Sequence, residues 1–322
     1  MPPYRSLILA AAAFALGFAA PSAQAAPDNV RAAKAVGSQW VFIPLDVGME
    51  EGIFAKYNIN VEISTMRGEA GLQQALTAGS LDIGLQGSGG IALAIKGAPL
   101  IAIADYVDAP NNFSVVVLAD SPIKNVADLK GKTLSGATNG GLPEWLVKHL
   151  GVVEGWGPGG VRFFAAGSPD ASLSAVRTKQ VDGMMTANAT GFLLEQQGIG
   201  RIVTQMGQFA RDYHSAFVFA RTGFIKDNPD VAERFLKGLF ATIAYMRTNK
   251  EKTGEIAARV LHLDRSIVDR VYDIEKGSFS TDGHFDPKAV DALKQSLIDM
   301  GSLTAKPTDA QILTTEFVPV KP

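Results

Sequence analysis

Cysteine is absent from this 322-residue chain. That removes disulfides, thiolate metal sites, cysteine nucleophiles and a lipid-modified N-terminal Cys together. Histidine is scarce, with four residues at 149, 214, 262 and 284. No two of them are spaced as a ligand pair on one helix face, so no metal site is expected. An excess of one charge is also lacking: 30 Lys and Arg stand against 32 Asp and Glu, a net of −2. Nothing in that balance would draw the chain to nucleic acid or to an anionic membrane surface. There is no G-x-S-x-G. Ser215 follows His214 and Asp212 closely, but adjacency in sequence does not make a triad. The paired acids Glu50/Glu51 and Asp105/Asp108 come without a partner logic, so no catalytic residue is assigned.

What is present is an ordinary globular composition, 47% hydrophobic and 19% charged. The first 25 residues read as a signal peptide: Arg5, an apolar run from Leu7 to Ala20, then Ala23-Gln24-Ala25 as an A-x-A cleavage site. The run is shorter than a bilayer span requires, and no later stretch is long and apolar enough for one. Cleavage after Ala25 and export to a bacterial periplasm are expected, which disfavours chemistry that needs cytoplasmic nucleotide cofactors.

Strand-like and helix-like segments then alternate, as in an α/β domain with a largely parallel sheet. Lys34–Gly37, Asn60–Thr65, Leu81–Leu85 and Leu100–Asp105 read as strands, with helices near 42–56, 70–78 and 91–96. The pattern recurs at an offset of 100 residues. Val61–Gly84 aligns without a gap on Val161–Met184, with Val61/Val161, Ala75/Ala175 and Asp82/Asp182 identical. Ser114–Ala119 and Ala216–Ala220 read as strands that follow each half. Beyond Asn228 the chain is mostly helical. Asn228-Pro229 and Asp286-Pro287 read as helix starts, and Thr308/Gln311 has capping-box spacing. The simplest arrangement is one lobe from 26–110 plus 215–322 and an inserted lobe from 111–214, joined by two crossings. Such lobes can close by hinge bending.

Three stretches carry a family resemblance. The first is Gly52-Ile53-Phe54 with Val61-Glu62-Ile63. The second is Ala75-Leu76, Ala78-Gly79 and Leu81-Asp82-Ile83-Gly84, followed by Lys96-Gly97-Ala98-Pro99-Leu100. The third is Asp120-Ser121-Pro122-Ile123-Lys124 with Asp128-Leu129-Lys130-Gly131-Lys132. The chain resembles the periplasmic solute-binding proteins of ABC importers, in the group that includes sulfonate, taurine, nitrate and thiamine-pyrimidine binders. The resemblance implies a two-lobed α/β periplasmic binding protein, type II-like, each lobe a sheet flanked by helices. It further implies a small-molecule solute in the cleft and ABC permease subunits in the inner membrane as partners. The motifs themselves are mostly structural: Asp128 is expected to cap or turn a helix start, and Asp82 to sit at a strand entrance. Lys179 replaces, in the second half, the glycine at 79. Related pyrimidine-phosphate synthases carry a Cys-rich motif, and its absence disfavours that activity here.

In α/β sheets ligands gather at the carboxyl ends of strands, where helix N-termini present free N–H groups. The candidate ligand-binding residues on those loops are Gln39, Trp40, Arg67, Gly68, Ser88, Gly89 and Asn111 in the first half. In the second they are Thr138, Asn139, Gly140, Ser168, Thr186 and Asn188, with Asp212 and His214 at the return crossing. Trp40 follows the first strand and is read as a ligand platform. Trp145, inside PEWLVKHL, is read as packing and Trp156 as a surface turn. Arg67 is the positive residue of the first-half loops: facing the cleft it favours a carboxylate or sulfonate, and otherwise it is a solvated residue paired to Glu69. His214 either donates to the same anion or holds the hinge. Gly87-Ser88-Gly89-Gly90-Ile91-Ala92 mimics a dinucleotide fingerprint, but the following helix is too short and the protein is exported, so no cofactor is expected. The expected function is capture of a small anionic solute by a monomer that docks on a permease. An exported enzyme and a ligand-sensing receptor subunit remain as alternatives.

Overall fold

The computed structural model describes residues 26–137, 139 and 141–321. The expected signal peptide, Met1–Ala25, and two of the candidate residues, Thr138 and Gly140, lie outside that set. No described helix is long and apolar enough to cross a membrane.

Ten strands form two five-stranded sheets. The first contains β1 (Asp28–Lys34), β2 (Ile59–Thr65), β3 (Ile83–Gly87), β4 (Leu100–Val107) and β10 (Ala216–Arg221), in the order β2-β1-β3-β10-β4. The second contains β5 (Phe113–Leu118), β6 (Thr133–Gly136), β7 (Arg162–Ala165), β8 (Gly183–Ala187) and β9 (Gly200–Gln205), in the order β7-β6-β8-β5-β9. The two orders are the same when β1 is matched to β6, β2 to β7, β3 to β8, β4 to β9 and β10 to β5. In each sheet the strand arriving from the other, β10 or β5, runs antiparallel to its neighbours.

The 100-residue offset seen in the sequence is structural. Helix α3 (Glu69–Thr77) corresponds to α6 (Pro169–Arg177), and β3 to β8 at the same spacing. Asp82 and Asp182 do the same job at a strand entrance: Asp82 Oδ2 accepts the Arg31 N–H at 3.1 Å, and Asp182 Oδ2 accepts the Thr133 N–H at 2.8 Å. Gly79 and Lys179 both end their helices in the left-handed region, at φ 75° and 59°. The lysine accepts a conformation that a glycine takes freely. Asp128 closes a capping box with Asn125, accepting the Lys124 N–H at 2.7 Å.

Two boundaries differ from the sequence reading. The first strand is Asp28–Lys34, not Lys34–Gly37, because small buried residues (Ala32, Ala33) let it sit between β2 and β3. The helix expected near 42–56 is split into η1 (Trp40–Phe42), α1 (Ile43–Glu50) and α2 (Ile53–Lys56), with the break at Gly52, whose φ is 62°. The remaining helices are α4 (Gly89–Ile95), α5 (Leu142–Val153), α7 (Asn188–Gln196), α8 (Thr222–Asp227), α9 (Pro229–Thr248), α10 (Lys250–Leu261), α11 (Arg265–Glu275) and α12 (Pro287–Asp299). Asn228 does precede α9, but its side-chain amide donates back to Phe224 O at 3.4 Å instead of capping.

The C-terminal helices complete the lobe of the first sheet. Helix α9 buries Val231, Phe235, Leu239, Ile243 and Met246, the stripe read from the sequence. Phe235 stacks on Phe54 at 5.3 Å. Gly48 and Gly238 allow this approach, since a Cβ on either would come within 2.6 Å of the Phe54 ring. Helix α12 reaches toward the second lobe, where Asp299 accepts the Trp145 indole N–H at 3.4 Å.

Candidate functional site

The carboxyl ends of β1 to β4 converge through backbone bonds. Met66 N–H donates to Lys34 O at 2.9 Å, Gly68 N–H to Ala35 O at 2.8 Å, and Ser215 N–H to Val107 O at 2.9 Å. In the second lobe Ala166 N–H donates to Gly136 O at 2.8 Å and Gly167 N–H to Ala137 O at 2.8 Å. The two sets of strand ends meet at the crossings, where the Asn188 side chain at the end of β8 donates to Glu275 Oε1 at 3.0 Å. Residues 108–112 and 206–215 are the crossings that link the sheets.

The first lobe presents three groups here. Trp40 is 2% exposed and meets Tyr272 edge-on at 5.8 Å, and its indole Nε1 is buried without a partner among the described residues. Lys34, at the end of β1, is also buried and held at 2.8 Å by both oxygens of Asp46. Glu69 begins α3 and turns inward: its Oε1 accepts the Gly87 N–H at 3.0 Å. The residue is half-buried, but the carboxylate is its buried end, and burial raises its pKa against the lowering effect of the Gly87 and Gly89 N–H groups. Gln73, one turn along, donates to Gln86 Oε1 at 3.2 Å.

At the crossings lies a second group of polar side chains. Asn188 is fully buried; its Nδ2 donates to Asn111 O at 2.6 Å and to Glu275 Oε1 at 3.0 Å. Asn111 Nδ2 donates to Ser278 Oγ at 2.8 Å. Burial pushes the Glu275 carboxyl up to about 8, only partly offset by the Asn188 amide. Asp105, Asp108 and His214 place ligand-type atoms within 4.8 Å of one another. His214 Nε2 accepts the Asp286 N–H at 2.8 Å, which puts the ring proton on Nδ1, 2.9 Å from Asp105 Oδ2. A protonated Nδ1 has no lone pair for a metal, and neither it nor Asp105 Oδ2 completes a hydrogen bond among the described residues. Burial and the neighbouring Asp108 raise Asp105 well above the carboxylate range, and burial lowers His214 to about 4.

The expected residues are distributed unevenly around these groups. Gly68, Ser88 and Gly89 lie on the converging loops; Ser88 is buried at the start of α4. Gln39 stands just before η1, half-buried, with no capping bond from its side chain. Asn111 and Asn188 are in the polar group at the crossings. Arg67 is exposed and makes no ion pair among the described residues, so the pairing to Glu69 does not form. His214 Nε2 is engaged by the Asp286 N–H, while Nδ1 lies 2.9 Å from Asp105 Oδ2 and completes no hydrogen bond among the described residues. The Ser168 hydroxyl is used by its own helix, accepting the Ala171 N–H at 3.1 Å. Thr186 is buried in β8 opposite Ser114, while Asn139 and Asp212 are exposed. Trp145 packs as expected, stacked on Tyr213 at 4.5 Å; Trp156 sits in its turn half-buried against the core.

Sequence reasoning took Glu69 only as a partner for Arg67 and assigned no role to Gln73, Tyr106 or Glu275. A signal for Glu69 was available, because the glycines at 87 and 89 follow the strand that neighbours its helix. Glu275 had none, since its burial comes from packing between α11 and α7. A surface depression of about 650 Å³ lies beside the crossings, lined by Asn111, Thr204, Gln205 and Gln208 among others. It holds none of the helix starts that follow β2, β3, β7 or β8, so the candidate site is the converging loops instead.

Residues 39–253 match the family model described as NMT1/THI5 like, more than half of the chain. A protein of Brucella abortus (strain 2308), provisionally named as a binding protein, is 26% identical over 227 residues, 68% of each chain. The periplasmic aliphatic sulphonate binding protein SsuA from Escherichia coli superimposes with a TM-score of 0.76 at 18% identity, over 89% of this chain and 92% of that one. The desulfurization enzyme DSZB also superimposes, with a TM-score of 0.64 at 15% identity, over 90% of this chain and 97% of that one. These likenesses show the two-lobed α/β fold of periplasmic binding proteins. Since the fold also serves an enzyme, the fold alone does not choose between capture and catalysis.

Proposed function

The chain belongs to the NMT1/THI5-like family, and from that premise we propose that it is the substrate-binding component of an ABC importer. It captures a small organic solute in the periplasm between its two lobes, closes over it and delivers it to permease subunits in the inner membrane. The lobes are residues 26–110 with 215–322, and 111–214, and the protein works as a monomer after its leader is cleaved at Ala25. The observation that carries this reading is the architecture. Two sheets of identical strand order are joined by two crossings, which leave from the carboxyl ends of β4 and β9, and α3, α6 and α7 follow the carboxyl ends of β2, β7 and β8. The provisional binding-protein name of the Brucella relative supports it.

No constellation for covalent catalysis supports turnover on the described residues. In the Asp105–Asp108–His214 group Asp105 and His214 are buried, and His214 is tied to the Asp286 N–H at 2.8 Å. A thermal-shift screen of the mature protein against sulfonates, carboxylates, nitrate, amines and pyrimidines tests the reading. A ligand at about 100 times its dissociation constant adds roughly 2.7 kcal/mol of stability. The bound compound, recovered and weighed by mass spectrometry, is expected unchanged. A converted product would move the chain to the enzymes of this fold.

A further inference from the structure

The sequence pointed to an anionic solute through Arg67. The structure places charge of the opposite sign on the inner side of those loops. Arg67 is exposed, and Lys34 is held by both oxygens of Asp46. The side chain that reaches across the loops is Glu69, bonded to the Gly87 N–H at 3.0 Å.

The second lobe acts as an internal control. At the offset of 100 residues, Glu69, Gln73, Gly87 and Gly89 correspond to Pro169, Leu173, Ala187 and Ala189. The same strand–helix–strand unit therefore forms without an inward carboxylate and without either glycine. An ideal Cβ on Gly87 would lie 2.5 Å from Glu69 Oε1, and one on Gly89 would strike Oε2. The acid and its two glycines are thus one device, present in the lobe where the fold does not demand it. A second observation lies on β4. Tyr106 is wholly buried, its hydroxyl has no partner among the described residues, and Glu69's charge helps oppose its ionisation. At the crossings Asn188 Oδ1 is likewise a buried acceptor without a partner among the described residues.

A carboxylate has about four lone-pair directions, and two backbone N–H groups leave the others open. We propose that the captured solute is an amine or an amidine, whose N–H donors pair with Glu69. This rests on the solute-capture reading and gives it a substrate class. A sulfonate or nitrate brought against Glu69 in a closed cleft would meet like charge with little screening.

The test uses shape-matched probes of opposite charge on the mature protein: benzamidine against benzoate, and propylammonium against propanesulfonate, by calorimetry. The expected result is that each cation binds at least about tenfold more tightly than its partner anion. Glu69→Gln, checked for folding by circular dichroism, should then weaken the cations by roughly 10- to 150-fold, the factor for a hydrogen bond to a charged group. Stronger binding of either anion to wild type overturns the charge assignment and leaves solute capture standing. A cation preference that persists in folded Glu69→Gln overturns the role of Glu69. Failure of all four probes overturns the assignment, and capture itself falls only if the wider screen is also empty.

Discussion

Replacing Gly89 by Ala should expel the Glu69 carboxylate from its seat. The new methyl would strike Oε2, the far end of a flexible side chain, so the backbone need not move. The cost is the bonding that Glu69 loses when it swings out, its contacts with the Gly87 and Gly89 N–H groups. A hydrogen bond to a charged group contributes about 1.5–3 kcal/mol, and we count one such bond because water refills the vacated seat. Gly89 begins α4 with an ordinary negative φ, so alanine returns roughly 0.5–1 kcal/mol of backbone entropy. The net expectation for Gly89→Ala is therefore a loss of about 0.5–2.5 kcal/mol. On a Glu69→Ala background the clash is gone, and Gly89→Ala should be neutral or stabilising by about 0.5–1 kcal/mol. Urea unfolding of the four proteins gives the coupling directly, expected at about 1.5–3 kcal/mol. Additivity within about 0.5 kcal/mol would refute the claim that the glycine exists to seat the acid.

The Glu275 carboxyl, raised to about 8, binds its proton more tightly folded than unfolded. Its contribution is therefore complete below the unfolded value near 4.5 and is lost as pH rises through about 8. Glu275→Gln, which keeps the acceptor for Asn188, should flatten this decline, whose limit is about 1.4 kcal/mol per pH unit; a denaturant midpoint with the wild-type pH slope would contradict it. Lys34→Ala leaves Asp46 buried and uncompensated and should cost about 3–5 kcal/mol, while Lys34→Met with Asp46→Leu should recover most of it in thermal melts. Trp40→Phe should abolish most of any solute-induced change in tryptophan fluorescence; if Trp145→Phe removes that change instead, Trp40 is a core residue only.

The fold was legible because its information is local and repeated. Strand–helix–strand periodicity, Pro at helix starts and the recurrence of Asp82 at 182 each follow from short-range chemistry. The first strand was misplaced because DNVRAAK has few bulky apolar residues, and its position between β2 and β3 is a tertiary fact. The site was less legible for the same reason. The loops that carry it follow from strand order, and Ser88, Gly89, Asn111 and Asn188 were named from that rule alone. Which side chains turn inward does not follow from the rule. Arg67 and Glu69 are two residues apart, and only the turn into α3 sends the first to solvent and the second to the Gly87 N–H. His214 was recognised as lying at a crossing, but its engagement depends on Asp286, 72 residues away.

Small-angle scattering of the mature protein, with and without a solute shown by calorimetry to saturate it, tests capture by lobe closure most directly. The two crossings at 108–112 and 206–215 should act as the hinge, and the radius of gyration should fall when solute binds. An unchanged scattering profile under saturating solute would contradict closure of the two lobes over it.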